Sequence, residues 1–275
     1  MIFQSFQPSP ELVGLVKTYH IRHFEFPANT NIPVKPFAPR SEQYITFYVK
    51  GFETIYLPKD QVSLTRSKTS IIGQSTQLVQ RKVSPQFLIV QVPFFPGALY
   101  RLTGIPFDEL RDKSLEMDLI FPQETKVVDQ KLHEAKSYWE MIRIVDDFFI
   151  SLARSKVSFS KNPFERALPF FSDSFDDKRI DLLADQACLS LRQFERLSKN
   201  YFGVGPKTMM RINRFSESFI LKSRHPEYSW FDVAISCGYV DYQHMVRDYK
   251  DFAGVTPNQL WIADGKAPDR VLGLR

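Results

Sequence analysis

Phe194-Glu-Arg196-Leu-Ser198-Lys199-Asn-Tyr-Phe-Gly203-Val204-Gly-Pro206 returns 51 residues later as Met245-Val-Arg247-Asp-Tyr249-Lys250-Asp-Phe-Ala-Gly254-Val255-Thr-Pro257. Arginine, lysine, glycine, valine and proline all keep that offset. Each copy reads as a helix ended by a glycine that tolerates positive φ, with a proline suited to the first turn of the next helix. A duplicated helical unit with a basic stripe suits a partner that is itself periodic. Duplex DNA is the obvious one.

The residues upstream complete the unit. Ser190 followed by Gln193 forms a capping-box pattern, and Asp241 is a good N-cap. Before them lie two short helical segments with tight turns, Leu182–Ala187 with Cys188-Leu189, and Val233–Cys237 with Gly238-Tyr239. Short helix, turn and second helix are the helix-turn-helix arrangement, whose second helix enters the major groove. Before the turn the offset is 50, so the second unit carries one extra residue just before or at the start of its second helix.

A helical wheel separates two faces. In the first copy Phe194, Leu197 and Tyr201 point inward, and Arg192, Arg196 and Lys199 share another face. The second copy places Met245, Tyr249 and Phe252 inward and Gln243, Arg247 and Lys250 outward. Arginine pairs bidentately with guanine and glutamine with adenine, so the Arg192/Gln243 difference predicts two units reading different bases. Lys199 and Lys250 lie further along, where phosphates are the expected partners. The candidate DNA-contacting set is Arg192, Gln193, Arg196, Lys199, Tyr242, Gln243, His244, Arg247 and Lys250. For Arg196 and Arg247 an internal tether to an acid is the competing role. Between the units, Lys207 to about Ser223 reads as a helix of roughly 25 Å, long enough with its turns to hold recognition helices about 34 Å apart. Arg211, Arg214, Lys222 and Arg224 make it basic.

The amino-terminal half has a different texture. Thr18–Phe26, Tyr44–Val49, Ser70–Gly73, Leu78–Val83 and Phe87–Val92 are short β-branched or aromatic runs separated by Pro, Gly and Ser-Pro breaks, which predicts a barrel or sandwich. Ala98–Leu102 suggests a helical turn. Trp139, Ile142, Val145, Phe149 and Leu152 then recur at helical spacing. That helix either seals the barrel or pairs with its copy in a second chain. Ser155–Ser160 reads as linker, and Asn162–Phe171 as a short helix. The expected fold is α+β and multidomain. Residues 1–155 form a β-barrel or sandwich with flanking helices. Residues 156–175 are linker, 176–262 an all-α domain of two helix-turn-helix units joined by a long helix, and 263–275 a tail.

Bulk properties narrow the class without deciding it. The net charge of +5 permits an anionic partner, but residues 1–160 and 178–260 each carry +3, so the case rests on placement. The two cysteines, Cys188 and Cys237, make no disulfide framework and no metal-ligand spacing. No signal peptide is apparent and no run of about 18 apolar residues occurs, so a cytoplasmic chain with no membrane partner is expected.

The sequence Leu-Ala-x-x-Ala-Cys-Leu-Ser190-x-Arg192-Gln-Phe194-x-Arg196, with Phe-Gly203-Val-x-Pro206, resembles the first unit of AraC-type transcription regulators. The stretch from Ala234 through Cys-Gly238-Tyr239-x-Asp241-x-x-His244-x-x-Arg247-Asp-Tyr249 to Gly254-Val-Thr-Pro257 resembles the second. The resemblance covers roughly 176–262. The Phe-Phe-Pro96-Gly97 to Pro106 block is similar to the sensor-like domain of a subset of that family, which implies that residues 1–155 form a cupin-like β-barrel that senses or dimerises. The resemblance implies a bacterial regulator whose partners are double-stranded DNA, a small-molecule effector, RNA polymerase and a second copy of the chain. One departure stands out: Ser198 occupies a position where the family places an aromatic, as Tyr249 does here. Either a neighbouring phenylalanine fills the space or the unit packs less tightly.

The alternative is a cupin-like small-molecule-binding protein or metal-dependent enzyme with an accessory helical domain. That needs clustered His and carboxylate ligands, and residues 1–160 offer only His20, His23 and His133. No catalytic residues, cofactor or metal are therefore assigned, and the chain is expected not to be an enzyme. Tyr44, Tyr48, Phe87 and Tyr100 are the candidate lining of a ligand pocket.

Overall fold

The structure is a computed structural model that describes residues 2–27, 29–58, 60–156, 162–173 and 180–266. Ten strands lie in the first 116 residues: β1 (Ile2–Phe6), β2 (Tyr19–Glu25), β3 (Lys35–Phe37), β4 (Tyr44–Lys50), β5 (Glu53–Leu57), β6 (Val62–Arg66), β7 (Ser70–Ile72), β8 (Val79–Val83), β9 (Gln86–Pro93) and β10 (Ser114–Glu116). They form two antiparallel sheets. The larger runs β1-β2-β9-β4-β7-β10 and the smaller β3-β8-β5-β6. Of the barrel or sandwich expected, the described residues show two facing antiparallel sheets. The strands that sequence reading missed, β1, β3, β5, β6 and β10, are the short or polar ones. Val62 to Arg66, for example, reads exposed-exposed-intermediate-exposed-intermediate along its length.

Alternation sorts the larger sheet into two faces. Tyr19, Ile21, Ile45, Phe47, Leu88, Val90 and Val92 form one face and pack under helices α1 (Ala98–Thr103), α2 (Pro122–Glu134) and α3 (Tyr138–Lys156). The periodic helix foreseen from Ile142, Val145, Phe149 and Leu152 is α3, and it seals the sheet. Trp139 departs from that face: it is 73% exposed and meets only the edge of Phe6. Asp146 interrupts the apolar stripe, and it is used as an anchor. It accepts hydrogen bonds from Tyr19 Oη at 2.7 Å and from the Ser9 backbone at 3.1 Å, tying α3 to β2 and its approach. Helix α2, unforeseen, lies beside α3.

The opposite face of the larger sheet looks toward the smaller one. Phe24, Tyr48, Phe87 and Ile89 cluster there. Beyond them a polar row crosses five neighbouring strands, with Ser5 opposite His20, His20 opposite Gln91, Gln91 opposite Thr46, and Thr46 opposite Ser70. A buried charge group also sits between the sheets. Glu53 accepts from Tyr48 Oη at 2.5 Å and from Arg81 Nε at 2.8 Å, with Arg66 at 3.7 Å. Burial alone would raise the Glu53 carboxyl, but Arg81 and Arg66 outweigh it and hold it below its ordinary value. A charge so placed is tolerable only because it is fully paired.

After α3 the chain is helical: α4 (Phe170–Asp173), α5 (Ile180–Gln186), α6 (Leu191–Phe202), α7 (Pro206–Arg224), α8 (Trp230–Ser236), α9 (Tyr242–Ala253) and α10 (Pro257–Gly265). Helix α10 extends past the expected domain end at 262. The predicted linker residues 157–160 and the end of the tail lie outside the described residues, while Pro163–Ala167 forms a turn of 3-10 helix before α4.

Candidate nucleic-acid interface

The two helix-turn-helix units are α5–α6 and α8–α9, and the local chemistry explains their boundaries. Ser190 caps α6 through a reciprocal capping box with Gln193. Asp241 caps α9 by accepting from the His244 backbone at 2.6 Å. Glycines in the left-handed region end both helices, Gly203 at φ 83° and Gly254 at φ 73°. The tight turns close alike: Leu189 N donates to Ala184 O at 2.9 Å, and Tyr239 N to Ala234 O at 3.0 Å. The extra residue of the second unit therefore falls between Tyr239 and Asp241, at the exposed Val240. The first turn places Cys188 at φ 54°, where the second has Gly238 at φ 75°.

Each unit has its own core. Phe194, Tyr201 and Phe202 pack with Leu183, Ala184, Met209 and Met210. Met245, Tyr249 and Phe252 pack with Val233, Ala234, Ile212 and Phe215. Tyr249 hydrogen-bonds Ser218 at 2.9 Å and sits 4.6 Å from the Phe215 ring. Ser198, at the matching position, is wholly buried and donates to Val204 O at 2.9 Å. The missing aromatic volume comes from the segment before the domain. Phe164 and Phe171 insert among Phe194, Tyr201 and Phe202, with ring centroids 4.8–6.1 Å apart. The first unit thus borrows its core from the segment that joins the domains, and sequence comparison of the two copies alone does not reveal that loan.

On the other face of the recognition helices, Arg192, Arg196, Lys199, Gln243, Arg247 and Lys250 are all exposed, and none makes an ion pair among the described residues. The tether weighed for Arg196 and Arg247 belongs instead to Arg211 of α7, which binds Asp248 at 2.8 Å and Asp251 at 2.5 Å. Arg214 lies 3.7 Å from the same Asp248 and 4.6 Å from the Tyr239 ring. Lys222 donates to Pro226 O and Tyr228 O. Most of the basic residues expected along α7 therefore serve the fold. The remaining candidates are mixed. Gln193 is exposed, but its Oε1 is taken by the cap of Ser190 at 3.0 Å. Tyr242 is partly covered by the second core, and His244 stands edge-on to Tyr239 at 5.5 Å.

The amino-terminal domain holds the far ends of both recognition helices. Gln43 Nε2 donates to Tyr201 O at 3.0 Å, and Leu78 N donates to Phe252 O at 2.8 Å. Tyr201 and Phe252 are the same repeat position. Phe107 N adds a bond to Asn200 O at 2.8 Å. A helix leaves its last four carbonyls without internal partners, and these donors satisfy three of them across two helices. A Cβ at Gly203 would stand 2.6 Å from Phe107 O, so this glycine is required by contact as well as by φ. Nothing in the repeat signals these contacts.

The proposed pocket residues are not one lining. Tyr48 and Phe87 meet at 6.3 Å in the inter-sheet cluster. Tyr44 borders a cavity of about 30 Å³, and Tyr100 on α1 packs against Tyr201 at 4.2 Å. The histidines diverge: His20 bonds Ser5 at 2.9 Å, His23 bonds Tyr138 at 2.6 Å on the opposite sheet face, and His133 bonds the Asp129 carbonyl of its own helix at 2.8 Å. Among the described residues no group of three metal-ligating side chains converges, and no helix is long and apolar enough to cross a membrane.

Residues 183–261 match the family model described as a helix-turn-helix domain. The C-terminal region is an AraC-type helix-turn-helix domain. Residues 4–116 match a domain of unknown function, DUF6597. The HTH-type transcriptional regulator ArgR of Pseudomonas aeruginosa is 32% identical over 82 residues. That match covers 29% of this chain and 24% of ArgR, so the chain spans about a quarter of that curated relative. Among solved structures, ToxT from Vibrio cholerae O395 is 13% identical, with TM-score 0.48, over 90% of this chain and 98% of that one. ToxT from Vibrio cholerae strain SCE256 with a bound unsaturated fatty acid is also 13% identical, with TM-score 0.48, over 95% and 99%.

Proposed function

We propose that this AraC-type chain is a sequence-specific, duplex-DNA-binding transcription regulator, with α6 and α9 entering successive major-groove segments. One observation carries the reading: six side chains at three matched repeat positions stand exposed and without ion pairs, opposite two buried stripes. Arg192 and Gln243, near the helix starts, read bases. Lys199 and Lys250, a turn or two later, meet phosphates, and Arg196 and Arg247 lie between the two roles. Tyr242 and His244 flank the second reading head. The contacts from Gln43, Phe107 and Leu78 reach the opposite helix ends, which leaves the reading ends unobstructed by the amino-terminal domain.

The amino-terminal domain is the regulated half. Its partners in this reading are a small effector and a second copy of the chain. The groove between α2 and α3, floored by Val127, Ile144 and Phe148 and rimmed by Glu124, Lys131 and Asp147, supports a self-complementary pairing. Sedimentation of wild type and Val127→Asp separates monomer from dimer.

Mobility-shift titration of genomic fragments at two salt concentrations tests the central claim. Binding should favour particular fragments and weaken steeply with salt. Lys199→Ala and Lys250→Ala should each lower the salt slope by about 1. Equal binding to all fragments refutes sequence specificity.

A further inference from the structure

The second helix-turn-helix unit carries one residue that the first lacks, and it is the most exposed large apolar side chain among the described residues: Val240, at 80%. The two turns explain why it is left outside. In the first unit Leu189 precedes the cap Ser190 and packs on the core that holds Phe194. That is the staple contact expected between the residue before an N-cap and the fourth residue of the helix. In the second unit Tyr239 takes the place of Leu189, with the same backbone bond to the preceding helix, and is buried in one cluster with Met245 of α9. Val240 then stands between Tyr239 and the cap Asp241 with no core left to enter.

A single apolar residue facing water is ordinary, but this one sits at the end of the unit that reads bases. The N-terminal residues of a recognition helix are those that reach base edges. Asp241 is extended, at φ −156° and ψ 172°, so Val240 lies two extended residues, about 7 Å, ahead of Tyr242. That spans roughly two base-pair steps of 3.4 Å. The position is held from both sides. Tyr239 is buried under the Arg214 guanidinium at 4.6 Å, and Asp241 is fixed by the His244 backbone at 2.6 Å. Valine is also stiff at χ1, so a contact costs it little freedom. In the major groove the apolar group that bases present is the C5 methyl of thymine.

We propose that Val240 is a specificity-determining residue that packs on the C5 methyl of a thymine, within about two base pairs of the base read by Gln243. The inference rests on the DNA-binding reading above and adds a base contact outside the recognition helix itself. The second half-site then demands a thymine at a position where the first, with no counterpart of Val240, makes no matching demand. Closing one methyl group away from water corresponds to a roughly fourfold gain in affinity.

The test is a mobility-shift titration of the purified full chain on a selected duplex in which each thymine is replaced in turn by uracil, which lacks only the methyl. At one thymine the replacement should weaken the wild type roughly fourfold. That thymine should lie within about two base pairs of the position whose preference changes in Gln243→Arg. Val240→Ala should bind the thymine and uracil duplexes alike, and Val240→Ile should keep the preference. All three proteins should melt at the same temperature, because the side chain enters no core. Indifference of the wild type to uracil at every thymine overturns the proposal. So does an equal loss in wild type and Val240→Ala, which would assign the methyl to another residue. A chain that binds no duplex refutes the DNA-binding reading and this inference together. A chain that binds selectively yet ignores uracil refutes this inference alone.

Discussion

Phe164→Ala tests whether the segment joining the domains completes the first helix-turn-helix core. Phe164 is fully buried, with ring centroids 4.9 Å from Phe194, 5.0 Å from Tyr201 and 5.9 Å from Phe202. A buried Phe→Ala change costs about 3–5 kcal/mol. Ser198 has no ring to move into the gap, so the upper part of that range applies. The second unit keeps Phe215, Tyr249 and Phe252 in a separate cluster. The loss should therefore stay local. Hydrogen exchange by mass spectrometry reads it directly. At a factor of ten per 1.4 kcal/mol, the amides of α6 should exchange roughly three to four powers of ten faster, while those of α9 change little. Duplex contacts should disappear from the half-site read by α6 and persist at the other. Equal loss of protection in α6 and α9, or none in either, refutes the borrowed core.

Three further outcomes are expected. Arg192→Gln and Gln243→Arg should exchange the preferred base at one position of each half-site, by about 1–3 kcal/mol, in selection from randomised duplexes; unchanged preferences would assign both side chains to the backbone. Cys188→Gly should raise stability by up to about 1 kcal/mol in urea denaturation, because a side chain at φ 54° is strained and glycine is not; destabilisation would mean that the cysteine side chain does more than occupy the turn. His20 is held down to about 4, first by burial and then by Arg22, with Arg40 adding and Glu42 opposing. The unfolded chain then takes the proton first, so stability is full above about pH 6.5 and falls toward pH 4, by roughly 3 kcal/mol at 1.4 kcal/mol per unit. His20→Gln should flatten that part of the pH profile, and an unchanged slope would move the titration elsewhere.

The helical domain was legible because its signals are local. Caps, glycine stops and a two-fold repeat state each boundary twice, and Ser190, Asp241, Gly203 and Gly254 all act as their residue types require. The exposed stripe followed from the same wheel that placed the core. The contacts that define the site's frame were not legible, because they join residues far apart in sequence without any pattern. Gln43 finds Tyr201, Leu78 finds Phe252, and Phe164 enters a core whose helix-turn-helix members begin only at Leu183. The tethering role of Arg211 was not legible for a related reason. A surface cation and a tether look alike until Asp248 and Asp251 are seen across the helix pair. In the amino-terminal half the aromatic runs gave the long strands, but alternation alone did not show which face met helices and which met the other sheet.

The bonds from Gln43 and Leu78 to one repeat position on two helices make the amino-terminal domain a gauge block. Two reading heads clamped to one block have a fixed separation and a fixed phase. Each base pair added between half-sites turns the second one by about 35° around the duplex axis, given 10–10.5 base pairs per turn. A chain clamped in this way selects operator length as sharply as it selects bases, and unclamping one head relaxes the first preference while leaving the second intact.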